Sequence, residues 1–121
     1  MLKIEDTDFG EVTVNGQDYE HDIVVFPDNI IKRKKWITKD KHGTSHKFTR
    51  DEMKEYVETA TNQNIDKVLI GTGQYGKLSL LPETEKYLDE RGIEYKLKNT
   101  SDLVGEEIDE DKNLVIIHVT C

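Results

Sequence analysis

A chain of 121 residues that is 35% hydrophobic has room for one core and no room for separate cofactor and substrate domains. Its single cysteine, Cys121, excludes an internal disulfide and a cysteine-built zinc site, and no apolar run approaches the ~20 residues of a membrane span. The net charge of −8 is unevenly spread: residues 32–50 carry eight Lys and Arg against one Asp, a local +7, which leaves the remainder at −15.

The first residues, "MLKIEDTDFG", place acidic side chains where a signal peptide needs its apolar stretch, so a cytoplasmic protein is expected. "LKIED" and "EVTV" read as short strands. Asn15-Gly16 follows, a pair that tolerates φ > 0 at both central positions of a hairpin turn. One return strand is expected through "QDYEHDIVVF", ending at Pro27-Asp28-Asn29. "IIKRKKWI" then reads as an extended segment with no cleanly apolar face, hence an edge or a solvent-facing ribbon. Residues 37–48 are expected to form a loop.

Thr49 and Glu52 have capping-box spacing, and Met53, Tyr56, Val57 and Ala60 follow as a core-facing helical stripe. Asn62 and Asn64 close that helix. "KVLI" suits a strand buried on both faces. Pro82 suits the first position of a helix running to Arg91, with Gly92 as its left-handed cap. "IEYKLK" is the next strand, and Thr100 or Ser101 is expected to cap a short acidic helix carrying Leu103, Val104 and Ile108. "NLVIIHVT" is the central strand. The strand–helix alternation from Lys67 onward favours parallel pairing. Together with the hairpin-rich first half it gives an α/β fold with a mixed sheet, spanning residues 1–121 as one domain without repeat or linker.

Gly71-Thr72-Gly73-Gln74-Tyr75-Gly76 fits G-x-G-x-x-G, yet its context is wrong for a dinucleotide. The helix should open at the third glycine, but "KLSLL" intervenes before Pro82. The next strand should end in an acidic ribose partner, but it ends in Lys98 and Asn99. No cofactor is expected. Two readings of the loop remain: Gly71 and Gly73 as turn formers with positive φ, or Gly71–Gly76 as a nest for one small anion with His46 folded over it.

His118 and Cys121 lie three apart on an extended strand and face opposite ways, so His118 reads as a satisfied core histidine. His42 and His46 lack the helix and carboxylates a metal site needs, so no metal is expected. No Ser-His-Asp arrangement stands out. The basic island is the stronger lead. Lys32, Arg33, Lys34 and Lys35 lead into Trp36, which offers charge beside an aromatic surface. The remaining −15 would repel a polyanion, so a protein partner is expected rather than nucleic acid.

The set "FGEVTVNG", "DIVVFPDNI", Trp36, His46, "VLIGTGQYGKL", "LPETEKYLDERGIEY" and "IIHVTC" resembles the adipogenesis-associated Mth domain proteins along essentially the whole chain. This is a domain of unknown function whose relatives include a mitochondrial assembly factor for NADH dehydrogenase (complex I). The resemblance implies a three-layer α/β domain, with helices on one side of a central mixed sheet and a β-hairpin layer on the other. It implies no catalytic residues, and the lysine-rich island departs from the family pattern. The sequence therefore reads first as a non-catalytic interaction or assembly module, second as a small-anion binder, and third as an enzyme of unknown reaction.

Overall fold

The computed structural model describes the backbone of residues 1–42 and 46–121, and all their side chains except those of residues 40–42. In chain order the elements are β1 (Leu2–Asp8), β2 (Glu11–Val14), β3 (Gln17–Tyr19), β4 (Ile23–Val25), β5 (Ile30–Lys32), α1 (Trp36–His42), β6 (Lys47–Phe48), α2 (Arg50–Asn62), β7 (Lys67–Thr72), β8 (Ser79–Leu80), α3 (Pro82–Glu90), β9 (Glu94–Lys98), a 3₁₀ turn (Thr100–Leu103), β10 (Glu107–Ile108) and β11 (Asn113–His118).

The fold is α/β. Its five-stranded mixed sheet has the order β5-β4-β11-β7-β9, with β11–β7 and β7–β9 parallel and the other two pairs antiparallel. A four-stranded sheet, β10-β1-β2-β3, stacks on one face. Alternation along the central strands divides the core accordingly. Ile23, Val25, Leu69, Val115 and Ile117 meet Leu2, Ile4, Val12 and Val14 of the hairpin layer. Val24, Val68, Ile70, Leu114 and Ile116 meet Met53, Tyr56, Val57, Ala60 and Leu88 of α2 and α3. A strand buried on both faces must be apolar throughout, and "NLVIIH" is buried from Leu114 to His118.

Local signals act as expected at several places. Asn15 and Gly16 take φ of 49° and 83° and turn β1–β2 into β3. Pro82 opens α3, and Gly92 follows it at φ 67°. Other expectations are corrected. "QDYEHDIVVF" is two strands in two different sheets, because the chain crosses between layers at Glu20–Asp22. The extended segment from Ile30 stops at Lys32; Trp36, expected in it, and residues 37–42 of the expected loop are helical, and Lys47–Phe48 of that loop form a short strand. The region after Thr100 is only a 3₁₀ turn: Ile108 belongs to β10, paired to Leu2, and Val104 is exposed. Thr49 caps α2 by accepting the Glu52 amide, but the Glu52 carboxylate does not reach back to complete the box. It has stronger partners, which define the site.

Candidate functional site

The strand registers bring several turns to one end of the molecule. His118 and Thr72 close the parallel strands β11 and β7 side by side. Because β4 runs antiparallel to β11, with Ile23 opposite Ile117, Asp22 lies at this same end. Lys32 pairs with Ile23, so Arg33–Trp36 leave the sheet there too. Gly10 donates its amide to the Val119 carbonyl at 2.8 Å, which brings in the β1–β2 turn.

Beneath this end is a buried ionic network. The Arg33 guanidinium donates through Nε to Glu52 Oε2 (2.7 Å), through Nη2 to Glu52 Oε1 (3.0 Å) and through Nη1 to Asp22 Oδ2 (3.0 Å). Its central carbon lies 4.7 Å from the centre of the Phe48 ring. Glu52 also accepts from the Thr38 hydroxyl (2.6 Å) and the Tyr56 hydroxyl (2.8 Å). Tyr56 in turn accepts the Lys34 amide at 2.7 Å. With its proton on Glu52, Thr38 can only accept from Thr49, 3.0 Å away. All three ionic side chains have 0% exposure.

Asp22 is the second node. Its Oδ1 accepts the Val119 amide at 2.8 Å, and its Oδ2 lies 2.7 Å from His118 Nδ1 and 3.5 Å from Lys35 Nζ. Burial opposes its ionisation, but the His118 hydrogen bond and charge, the Val119 amide and Lys35 outweigh burial and lower its pKa to about 2. An ionised Asp22 can only accept, so it takes its hydrogen bond from the histidine ring. Nδ1 carries the proton, and Nε2 is left facing the Thr120 hydroxyl at 3.3 Å. His118 is thus the satisfied core histidine that its sequence position suggested. The His46 ring meets it edge-on, with centroids 5.2 Å apart. Burial, followed by His118, Arg33 and Lys35, holds the His46 imidazole below its usual pKa.

The island is therefore not one uniform surface. Arg33, expected on the interaction surface, is 2% exposed, because two buried carboxylates draw it inward. Lys34 is half-exposed and paired to Glu55 at 2.7 Å, and Lys35 is half-exposed beside Asp22. Lys32 is exposed, and Trp36 has 59% of its surface open. Phe9 and Tyr75, 55% and 69% exposed, pack on each other at this same end with centroids 6.2 Å apart. Neither was singled out with Trp36 from sequence, since a lone aromatic in a turn carries no periodic signal.

In the glycine loop, Gly73 and Gly76 have φ of 103° and 65°. Gly71, expected to turn, is instead part of β7; a Cβ there would lie 2.9 Å from the Thr100 hydroxyl. The loop amides already have acceptors. Gly73 N donates to Thr100 Oγ1 (2.9 Å), Gln74 N to Thr120 O (2.7 Å), and Tyr75 N and Lys77 N to Cys121 O (3.1 and 3.0 Å). Gln74 also ties its side-chain amide to Thr7 and Asp8. The Thr72 hydroxyl donates to the Lys98 carbonyl at 3.1 Å. Among the described residues no group of three or more His, Cys, Asp or Glu could hold a metal, and the His42 side chain lies outside them.

Comparison with known proteins supplies a family without an activity. A family model described as a protein of unknown function (DUF498/DUF598) matches residues 4–105. The chain belongs to this family. It is 41% identical to the conserved hypothetical protein PH1505 from Pyrococcus horikoshii OT3, over 98% of this chain and 99% of that one, with a TM-score of 0.79. A structure named MT938 is 28% identical over the full length of both chains, with a TM-score of 0.77. XCC1710 from Xanthomonas campestris, 13% identical over 98% of this chain and 85% of its own, shares the fold with a TM-score of 0.62. No protein of curated function matches the sequence. No helix among the described residues is long and apolar enough to cross a membrane.

Proposed function

We propose that this DUF498/DUF598 domain is a non-catalytic protein-interaction module, and that it docks through the end of the molecule where the parallel strands finish. The observation that carries this is the gathering of exposed aromatic surface there. Trp36 follows Lys32 and Lys35 in the segment that leaves β5 at this end, and the Phe9–Tyr75 pair sits on turns at the same end. Exposed Trp and Tyr beside cations are the chemistry of interface anchors, since large rigid rings bury area at little entropic cost. The buried network beneath holds Arg33 and the Lys34 amide in place, so the face is organised before a partner arrives. The resemblance to a family containing an assembly factor is in keeping with this reading. The small-anion alternative on Gly71–Gly76 is disfavoured, because the amides it needs are already donated within the chain.

The test is affinity capture from the native host with the parent protein and two variants, Trp36→Ser and the triple Lys32→Gln, Lys34→Gln, Lys35→Gln. A partner recovered in stoichiometric amount with the parent, and lost with folded variants, is expected. A partner retained equally by all three proteins would remove this face from consideration.

A further inference from the structure

We infer that β9 is a self-association edge, through which two copies of this chain join their central sheets antiparallel across a two-fold axis. The described sheets end in six edge strands: β6, β8 and β10 of two residues each, β3 and β5 of three each, and β9 of five. The N–H and C=O groups of alternate residues on an edge strand point away from the sheet and await a partner. β9 is the longest such edge and pairs only with β7. On its helix side Tyr95 is half-buried and Leu97 is 38% exposed. On its other side the hairpin layer stops short and leaves a groove of about 920 Å³, with Glu94, Lys96 and Lys98 among its lining residues.

Charge order selects the occupant. Exposed charges on an edge strand oppose pairing with an unrelated chain, but charges of both signs can pair across a symmetric seam. Here Glu94 and Lys96 flank Tyr95 on one face. Lys98 is already held by Glu106 at 2.8 Å, whereas Glu94 has only a 3.9 Å contact with Lys67 and Lys96 forms no ion pair among the described residues. A two-fold axis at Tyr95 places Glu94 of each copy opposite Lys96 of the other, with Tyr95 facing its own symmetry mate. It also places the exposed Leu97 opposite the buried Ile93 on the helix side. Moving the axis to Lys96 would set lysine against lysine. The first register is self-complementary in charge about a Tyr95–Tyr95 contact, as an isologous interface requires.

Sedimentation velocity from micromolar to millimolar protein, with circular dichroism as a folding control, tests the inference. The parent should pass from monomer to dimer. Glu94→Lys alone and Lys96→Glu alone should each weaken the dimer by about tenfold or more, because symmetry doubles every like-charge pair (about 1.4 kcal/mol for tenfold). The double variant Glu94→Lys, Lys96→Glu should restore it. A parent that stays monomeric to millimolar concentration, or a dimer indifferent to the single reversals, overturns the inference.

Discussion

Replacing Arg33 by methionine keeps most of the apolar stem and removes the guanidinium. The hydrogen bonds lost include those to Glu52 at 2.7 and 3.0 Å and to Asp22 at 3.0 Å. The carboxylates stay buried, but not equally stranded. Among the described residues Asp22 retains His118, the Val119 amide and Lys35, whereas Glu52 keeps the Thr38 and Tyr56 hydroxyls. Removing one partner of a buried pair costs about 3–5 kcal/mol, since the surviving charge has lost its compensation without regaining water. Against the 5–15 kcal/mol that holds a typical domain together, this is a large fraction. Urea unfolding should show the midpoint falling with little change in slope.

A second variant separates lost charge from lost packing. In the double variant Arg33→Met, Glu52→Gln the unpaired carboxylate is gone, so part of the stability should return. If Arg33→Met costs less than about 1 kcal/mol, the network is not the structural element described here. If the double variant is less stable than the single one, the cost was packing against Phe48 rather than charge.

Acid should weaken the protein through Asp22. Its pKa falls from the ordinary 3.8 to about 2 in the folded state, so its contribution is complete above about pH 5 and is lost as pH drops through 4 towards 2. That contribution is about 2 kcal/mol, and Asp22→Asn should flatten the parent's acid profile over the same range if the assignment is right. Gly73→Val should destabilise by more than about 2 kcal/mol, since the position has φ 103° and a Cβ would lie 2.3 Å from the Cys121 carbonyl carbon. A melting temperature within a degree or two of the parent's would contradict that. The parent's melting temperature should not rise with phosphate, sulfate or small carboxylates, and equilibrium dialysis should find no NAD, NADP or FAD binding tighter than millimolar. A clear rise, or micromolar binding, would return the glycine loop to ligand duty.

The sheet could be read from sequence because its signals are local and redundant. "KVLI" and "NLVIIHVT" leave no polar face, and Pro82 with Gly92 brackets a helix regardless of what surrounds it. The network could not be read the same way, because Asp22, Arg33, Glu52 and His118 meet only after four elements have packed. In "KRKK" nothing local distinguishes the one cation that turns inward. Two traces were nevertheless present. Glu52 sits one position from Met53 and four from Tyr56, on the buried stripe of its helix, and a cap role alone does not need that placement. Asp22 immediately precedes "IVVF", where a carboxylate at the mouth of a buried strand calls for a cation or several donors. The helix at Trp36–His42 was missed for a different reason: its seven residues carry no N-terminal acid and no apolar period.

The fate of the lysines limits what the docking face can contribute electrostatically. Formally the island is +7, but Arg33 is spent on buried carboxylates, Lys34 is neutralised by Glu55, and Lys35 approaches Asp22 at 3.5 Å. Lys32, Lys39 and Lys47 are exposed and form no ion pairs among the described residues. A rim cation that already has a carboxylate neighbour adds little field at the distances that steer encounter, whereas an unneutralised one adds its full screened charge. Single glutamine variants should therefore separate once a partner is in hand. Lys32→Gln and Lys39→Gln should slow association and reduce its salt dependence, and Lys34→Gln should change both much less. Stopped-flow association at low and physiological salt reads the difference directly. If Lys34→Gln slows association as much as Lys32→Gln does, the partner displaces Glu55 on binding, and the face is remade by its partner rather than organised in advance.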